Sequence, residues 1–138
     1  MICPGYTTGV EAVGIVAILA LGQYFAFAFA VAGLREQRGI AATEPCDDET
    51  LNRAVRVHAN TGEMLIVFLP LLGICAHFLH PWVAAGTGAF WIVARAIYRR
   101  GYLADVKSRI PGFIMGDVVL GVLALGSLYG ITRNLVSG

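Results

Sequence analysis

Long apolar runs alternate with short polar joints along this chain, and the runs have helix length. Four are marked off by their polar ends, at residues 10–34, 60–79, 83–98 and 111–131, against the roughly 20 residues a helix needs to cross a bilayer. The third is the shortest, and Arg95 interrupts its end. Only His80, Pro81 and Trp82 separate the second and third runs. So short a joint makes those two helices antiparallel neighbours, and proline with tryptophan suits a turn and anchor at a membrane interface. Residues 1–9 are charge-poor, and Glu11 opens the first run. A cleaved signal peptide has a basic leading region, so the first run reads as a retained helix. The pattern predicts an all-α membrane protein, a four-transmembrane-helix bundle in a single domain over residues 1–138.

Composition agrees with the pattern. The chain is 57% hydrophobic and 14% charged, with mean hydropathy +0.72, whereas a soluble domain carries about 25% charged residues. A net charge of +1 gives no reason to expect a nucleic-acid partner. The placement of the charges says more than their sum. Arg35, Arg38, Arg53 and Arg56 flank the first joint, and Arg95, Arg99, Arg100, Lys107 and Arg109 flank the third. Only Arg133 lies on the other side. The positive-inside rule then makes both long loops cytoplasmic and turns both termini outward. Cys3, Cys46 and Cys75 have no paired spacing, and His58, His77 and His80 have no metal-ligand spacing with a carboxylate. Neither a disulfide framework nor a metal site is expected.

Two constellations carry chemistry. Arg56-x-x-x-Asn60-x-x-Glu63 places a cation, an amide and an anion on one helix face. Ionisable groups at membrane depth are costly enough to be functional candidates. Arg95-x-x-Tyr98-x-x-x-Tyr102 repeats the spacing on the next helix, and Arg109 follows seven residues later. Interfacial tyrosines are usually anchors, and a basic tail is usually topological. A structural ion pair between Glu63 and Arg95 would account for those two residues, but not for Asn60, Tyr98, Tyr102 and Arg109. A small peptide with two carboxylates, one ammonium and a thiol would call for such a set.

The segments Arg56-Val57-His58-Ala59-Asn60-Thr61-Gly62-Glu63, Phe68-Leu69-Pro70 and Ala94-Arg95-Ala96-Ile97-Tyr98-Arg99-Arg100-Gly101-Tyr102 resemble the MAPEG family, the membrane-associated proteins of eicosanoid and glutathione metabolism. The resemblance covers essentially the whole chain and points to a compact, bacterial-type member related to microsomal glutathione transferases. It implies glutathione as cofactor, held by Arg56, Asn60 and Glu63, with Glu63 receiving its amino group. It also implies contacts from Arg95, Tyr98 and Tyr102 and a polar, ligand-facing His58. Arg109 matches the thiolate-stabilising arginine in its spacing from Tyr102. Other branches carry that arginine two residues later, where this chain has Pro111, and Lys107 is a weaker substitute. Arg35 or Arg38 matches an arginine reaching the site from a neighbouring subunit, because the family is homotrimeric.

The activity this implies is attack by the glutathione thiolate on lipophilic electrophiles or hydroperoxides, as a transferase or peroxidase in a bacterial inner membrane. The partners it implies are other copies of the chain, membrane lipid and a lipophilic small molecule. Two rivals stand beside it. A non-catalytic scaffold binding lipid or glutathione would keep the helices without an effective thiolate arginine. A channel or transporter component would spread its charges over several depths or break its helices in mid-span. Three further features carry structural expectations. The pairs Gly112-x-x-x-Gly116 and Gly126-x-x-x-Gly130 suit close helix contacts. Asp117 is a further acid for Arg95, Arg109 or a neighbour's backbone. Pro70 is placed to kink the second helix.

Overall fold

The computed structural model describes the backbone of residues 4–45 and 47–137, with side chains from residue 8 onward. Cys3 and Cys46 lie outside the described residues. Four helices follow one another: α1 (Pro4–Arg38), α2 (Glu49–Phe78), α3 (Pro81–Ala104) and α4 (Ile110–Ser137), with a 3-10 turn over Val106–Arg109 before α4. Among the described residues three spans, Thr8–Arg38, Glu49–Phe78 and Val106–Ser137, are long and apolar enough to cross a membrane. Helix α3 carries Arg95, Arg99 and Arg100 in its second half and falls short of that apolar character.

Each helix outruns its apolar stretch, because local signals end a helix and the bilayer does not. Helix α2 begins eleven residues before Asn60, where the Asp48 carboxylate accepts from the Leu51 backbone N–H at 2.7 Å and satisfies one of the orphan donors of the first turn. At the start of α3, the His80 side chain accepts from the Trp82 N–H at 3.3 Å, with Pro81 in the first turn, where its missing N–H costs nothing. Pro70 lies within α2, which continues as one helix to Phe78.

Helices α2 and α3 form the middle of the bundle. Helix α1 packs on both from one side, and α4 packs on both from the other without touching α1. The core is centred on Phe68 and Trp91, whose rings stack at 4.2 Å and 8°, together with Leu72, Leu65, Val16 and Ala20. Around it the surface is apolar, with Ile18, Phe29, Ile66 and Leu125 among many large exposed side chains. A water-soluble monomer rarely exposes so many large apolar side chains, and lipid is the solvent that tolerates them.

Two glycines bring backbones together where the site is built. A Cβ on Gly101 would lie 2.1 Å from the Ser108 carbonyl oxygen, and one on Gly112 would lie 2.3 Å from the Tyr98 backbone nitrogen. The first contact folds the 3-10 turn back against α3. The second seats the start of α4 directly on α3. Gly130 likewise abuts the Phe78 carbonyl, at 2.4 Å from a would-be Cβ, so Gly112 and Gly130 serve close helix contacts inside this chain.

Candidate functional site

A cavity of about 410 Å³ opens where α2, α3 and α4 meet, lined by Arg56, Asn60, Tyr98, Arg109, Ile110 and Phe113. Its polar residues come from three elements. Arg56 and Asn60 are four apart on α2 and so share a face. Tyr98 is buried on α3, and Arg109 ends the 3-10 turn that Gly101 allows to fold back. The Arg109 guanidinium lies 5.2 Å from the centre of the Tyr102 ring, within cation–π range. Tyr102 is itself buried, its ring 5.6 Å from that of Tyr98. Two guanidinium groups, an amide and a phenol therefore converge on one space, a donor-rich set suited to carboxylates or another anion.

The other sequence-predicted residues are placed differently. Arg95 is fully buried behind the cavity wall, donating from Nη2 to Asn60 Oδ1 at 3.0 Å and to Thr61 Oγ1 at 2.8 Å. Its guanidinium carbon lies 4.1 Å from the Tyr98 ring centre. The structural ion pair weighed as an alternative account of Arg95 and Glu63 does not form in this chain. Glu63 is exposed on α2, about one turn beyond Asn60, while the guanidinium points into the bundle. The two residues share a depth, but the faces they occupy are rotated apart. His58 stacks on Tyr24 of α1 at 4.3 Å and 16°. Two residues from Arg56 is about 200° around a helix, so His58 faces the opposite side from the cavity.

Arg35 donates to the carbonyls of Ala41 and Glu44 at 2.8 and 3.3 Å, closing the loop between α1 and α2. Arg38 pairs with Asp48 at 2.6 Å. Both arginines thus staple the first loop of this chain. Asp117 is exposed on α4, one turn beyond Phe113. Arg53, which carried no assigned role, donates to the carbonyls of Leu103 and Ala104 and pairs with Glu49, tying the start of α2 to the end of α3.

Thr61, Ile110 and Phe113 escaped the sequence reading. Phe113 sits three residues after Ile110 at helical spacing and could have been grouped with it. Thr61 is buried and bonded to Arg95, and only its adjacency to Asn60 hinted at this. An apolar groove of about 350 Å³, lined by Phe90, Ile114, Met115, Val118 and Val119, runs along α3 and α4. Ile114 adjoins Phe113 of the polar cavity.

Comparison with known proteins gives a family and relatives. The MAPEG family model matches residues 13–129. The uncharacterized protein sll1147 of Synechocystis sp. is 32% identical over 121 residues, covering 88% of each chain. Microsomal glutathione S-transferase 2 is 26% identical over 122 residues in Mus musculus, covering 88% of this chain and 83% of that one. The Homo sapiens protein of that name is 29% identical over 121 residues, covering 88% and 82%.

Proposed function

The chain belongs to the MAPEG family, and from that premise we propose that it is a membrane-bound glutathione transferase or glutathione-dependent peroxidase. One observation carries this reading: Arg56, Asn60, Tyr98 and Arg109, drawn from three separate elements, line a single cavity. Its volume lies in the range of small-molecule sites. The donor set fits the anionic groups of glutathione. The acid suited to its ammonium, Glu63, continues the Arg56–Asn60 face of α2 just outside the cavity.

Glutathione supplies a thiol nucleophile, with a reference pKa near 8.5 for cysteine. The protein's task is to hold the peptide and favour the anionic sulfur. Arg56 and Asn60 fix carboxylate and amide oxygens, and the Tyr98 phenol adds a further donor. Among the described residues lining the cavity, Arg109 is the cation on the side where the 3-10 turn meets α4, and the reading puts the sulfur beside it. A guanidinium within hydrogen-bond reach in a partly dry site lowers a thiol by roughly two units, or about 3 kcal/mol. Arginine suits this work because it stays charged. The lipophilic partner arrives along the apolar groove of α3 and α4, whose Ile114 adjoins the cavity. Catalysis then consists of positioning and electrostatic stabilisation.

The same reading includes a homotrimer, four membrane spans and cytoplasmic placement of both long loops in a bacterial inner membrane. Glu63 and Asp117 support the assembly. Both are exposed on membrane-capable helices of the single chain, where contact with lipid is costly, and a second copy would cover them. Arg109 in the cavity wall favours an enzyme over a non-catalytic scaffold. An ultraviolet difference titration of glutathione into the detergent-purified protein tests the reading. A thiolate band in wild type that disappears in Arg109→Ala is the expected result. Binding without thiolate would favour the scaffold, and no binding would overturn the glutathione reading.

A further inference from the structure

The wall of the cavity is backed by a directed chain of hydrogen bonds. The Thr61 hydroxyl donates its one proton to the Val57 carbonyl at 2.7 Å, which leaves only lone pairs for its other neighbour. That neighbour is Arg95, whose Nη2 donates to Thr61 Oγ1 at 2.8 Å and to Asn60 Oδ1 at 3.0 Å. The two hydrogens of one nitrogen are then both engaged. Arg95 and Thr61 are fully buried, and the guanidinium is further held against the Tyr98 ring.

This chain has a chemical consequence for Asn60. An amide offers either its carbonyl oxygen or its N–H₂ to a ligand, and rotation about one bond exchanges them. Arginine has no acceptor, so whichever amide atom faces Arg95 must be the oxygen. The group left for the cavity is the N–H₂ donor. We propose that Arg95 and Thr61 are positioning residues that fix the polarity of Asn60, so that this wall presents a donor and selects a ligand carboxylate over a ligand ammonium.

The proposal rests on the glutathione reading for the identity of the carboxylate, but the bond chain itself does not. It separates two residues of the same helix face: Asn60 takes an acceptor, and Glu63 is left for the ammonium. It also assigns Arg95 a place behind the site, acting through Asn60 with no ligand contact of its own. Thr61 is essential to this because it is the second acceptor for Nη2. With valine in its place, Arg95 would hold Asn60 by a single bond, and the amide would be freer to turn.

The test uses the full-length protein in detergent and two readouts. Guanidinium-selective carbon–nitrogen NMR, with Arg95 assigned from its loss in Arg95→Lys, reports whether rotation of the Arg95 group is hindered. Calorimetry with glutathione reports affinity. Hindered Arg95 signals are expected in wild type and Thr61→Ser and lost in Thr61→Val. Asn60→Asp keeps a partner for Arg95, and hence the fold, but removes the donor; its glutathione affinity is expected to fall at least about tenfold. Thr61→Val is expected to weaken binding several-fold, and Thr61→Ser to restore it.

Wild-type affinity in Asn60→Asp would overturn the proposal and leave the glutathione reading intact. If wild type binds no glutathione, that reading fails, and the NMR decides the positioning chain alone. Hindrance lost only in Thr61→Val supports the chain, and free rotation in wild type overturns it.

Discussion

Gly112→Ala gives the sharpest test of how α4 delivers Arg109 to the cavity. The added Cβ would lie 2.3 Å from the Tyr98 backbone nitrogen, 2.5 Å from Tyr98 Cα and 2.9 Å from the Ala94 carbonyl oxygen. All three are backbone atoms of α3, so no side chain can rotate away. Ordinary contact begins at 3.4 Å, so α4 must retreat by about 1 Å. Overpacking of this kind costs about 1–3 kcal/mol, partly offset by the roughly 1 kcal/mol that alanine gains over glycine in a helix. The effect on the site is larger than that on stability, since Arg109, Ile110 and Phe113 move with α4 away from Tyr98. A misplacement of 1 Å can cost a factor of about 10² in rate. Gly116→Ala is the control. It lies one turn further along α4, and a Cβ there meets nothing within 4 Å. The assay pairs the apparent Tm in detergent with the amplitude of the glutathione thiolate band and conjugation kcat/KM. Gly112→Ala is expected to lose activity by about 10- to 100-fold with a modest fall in Tm, whereas Gly116→Ala keeps both. Wild-type activity in Gly112→Ala would refute the packing of α4 on α3 described here.

Other expectations follow from named contacts. Arg109→Ala should leave glutathione bound with its thiol protonated; full conjugating activity in that variant would sink the role given to Arg109 and turn attention to Lys107. Glu63→Gln and Arg56→Ala should raise the dissociation constant for glutathione in calorimetry while leaving the thiolate fraction of bound ligand unchanged; unchanged affinity in both would remove them from the site. Asp48→Ala loses the cap of α2 and the partner of Arg38. It should cost about 1 kcal/mol, seen as faster hydrogen exchange over residues 49–55 with conjugation kinetics intact.

The sequence made the α2 half of the cavity readable, because steps of four and three are enough to place Arg56, Asn60 and Glu63 on one face. The same arithmetic, applied to His58, puts it on the far side of α2, where it stacks on Tyr24. Trp91, Arg95, Tyr98 and Tyr102 recur at helical intervals and are all buried, which marks Arg95 as a residue facing inward. The pairing of Glu63 with Arg95 fails on rotation, since two helices can share a depth while their charged faces point apart. Helix ends depended on Asp48 and His80, short-range signals that apolar run length ignores. The return of Arg109 over Tyr102 depends on a backbone approach at Gly101 that no periodicity encodes.

The bonding of Arg95 has a consequence for how the protein enters the membrane. Helix α3 falls short of the apolar character of the three membrane-capable spans, and an unpaired guanidinium within a span is costly to insert. Its acceptors, Asn60 and Thr61, both belong to α2, and only Leu79 and His80 lie between the two helices. In the four-span topology proposed above, α2 and α3 therefore partition into lipid as one hairpin, with the arginine already paired on arrival. Substitutions at Thr61 or lengthening of that two-residue link would then show first as failed biogenesis, in glycosylation-mapped topology, before any effect on the finished protein.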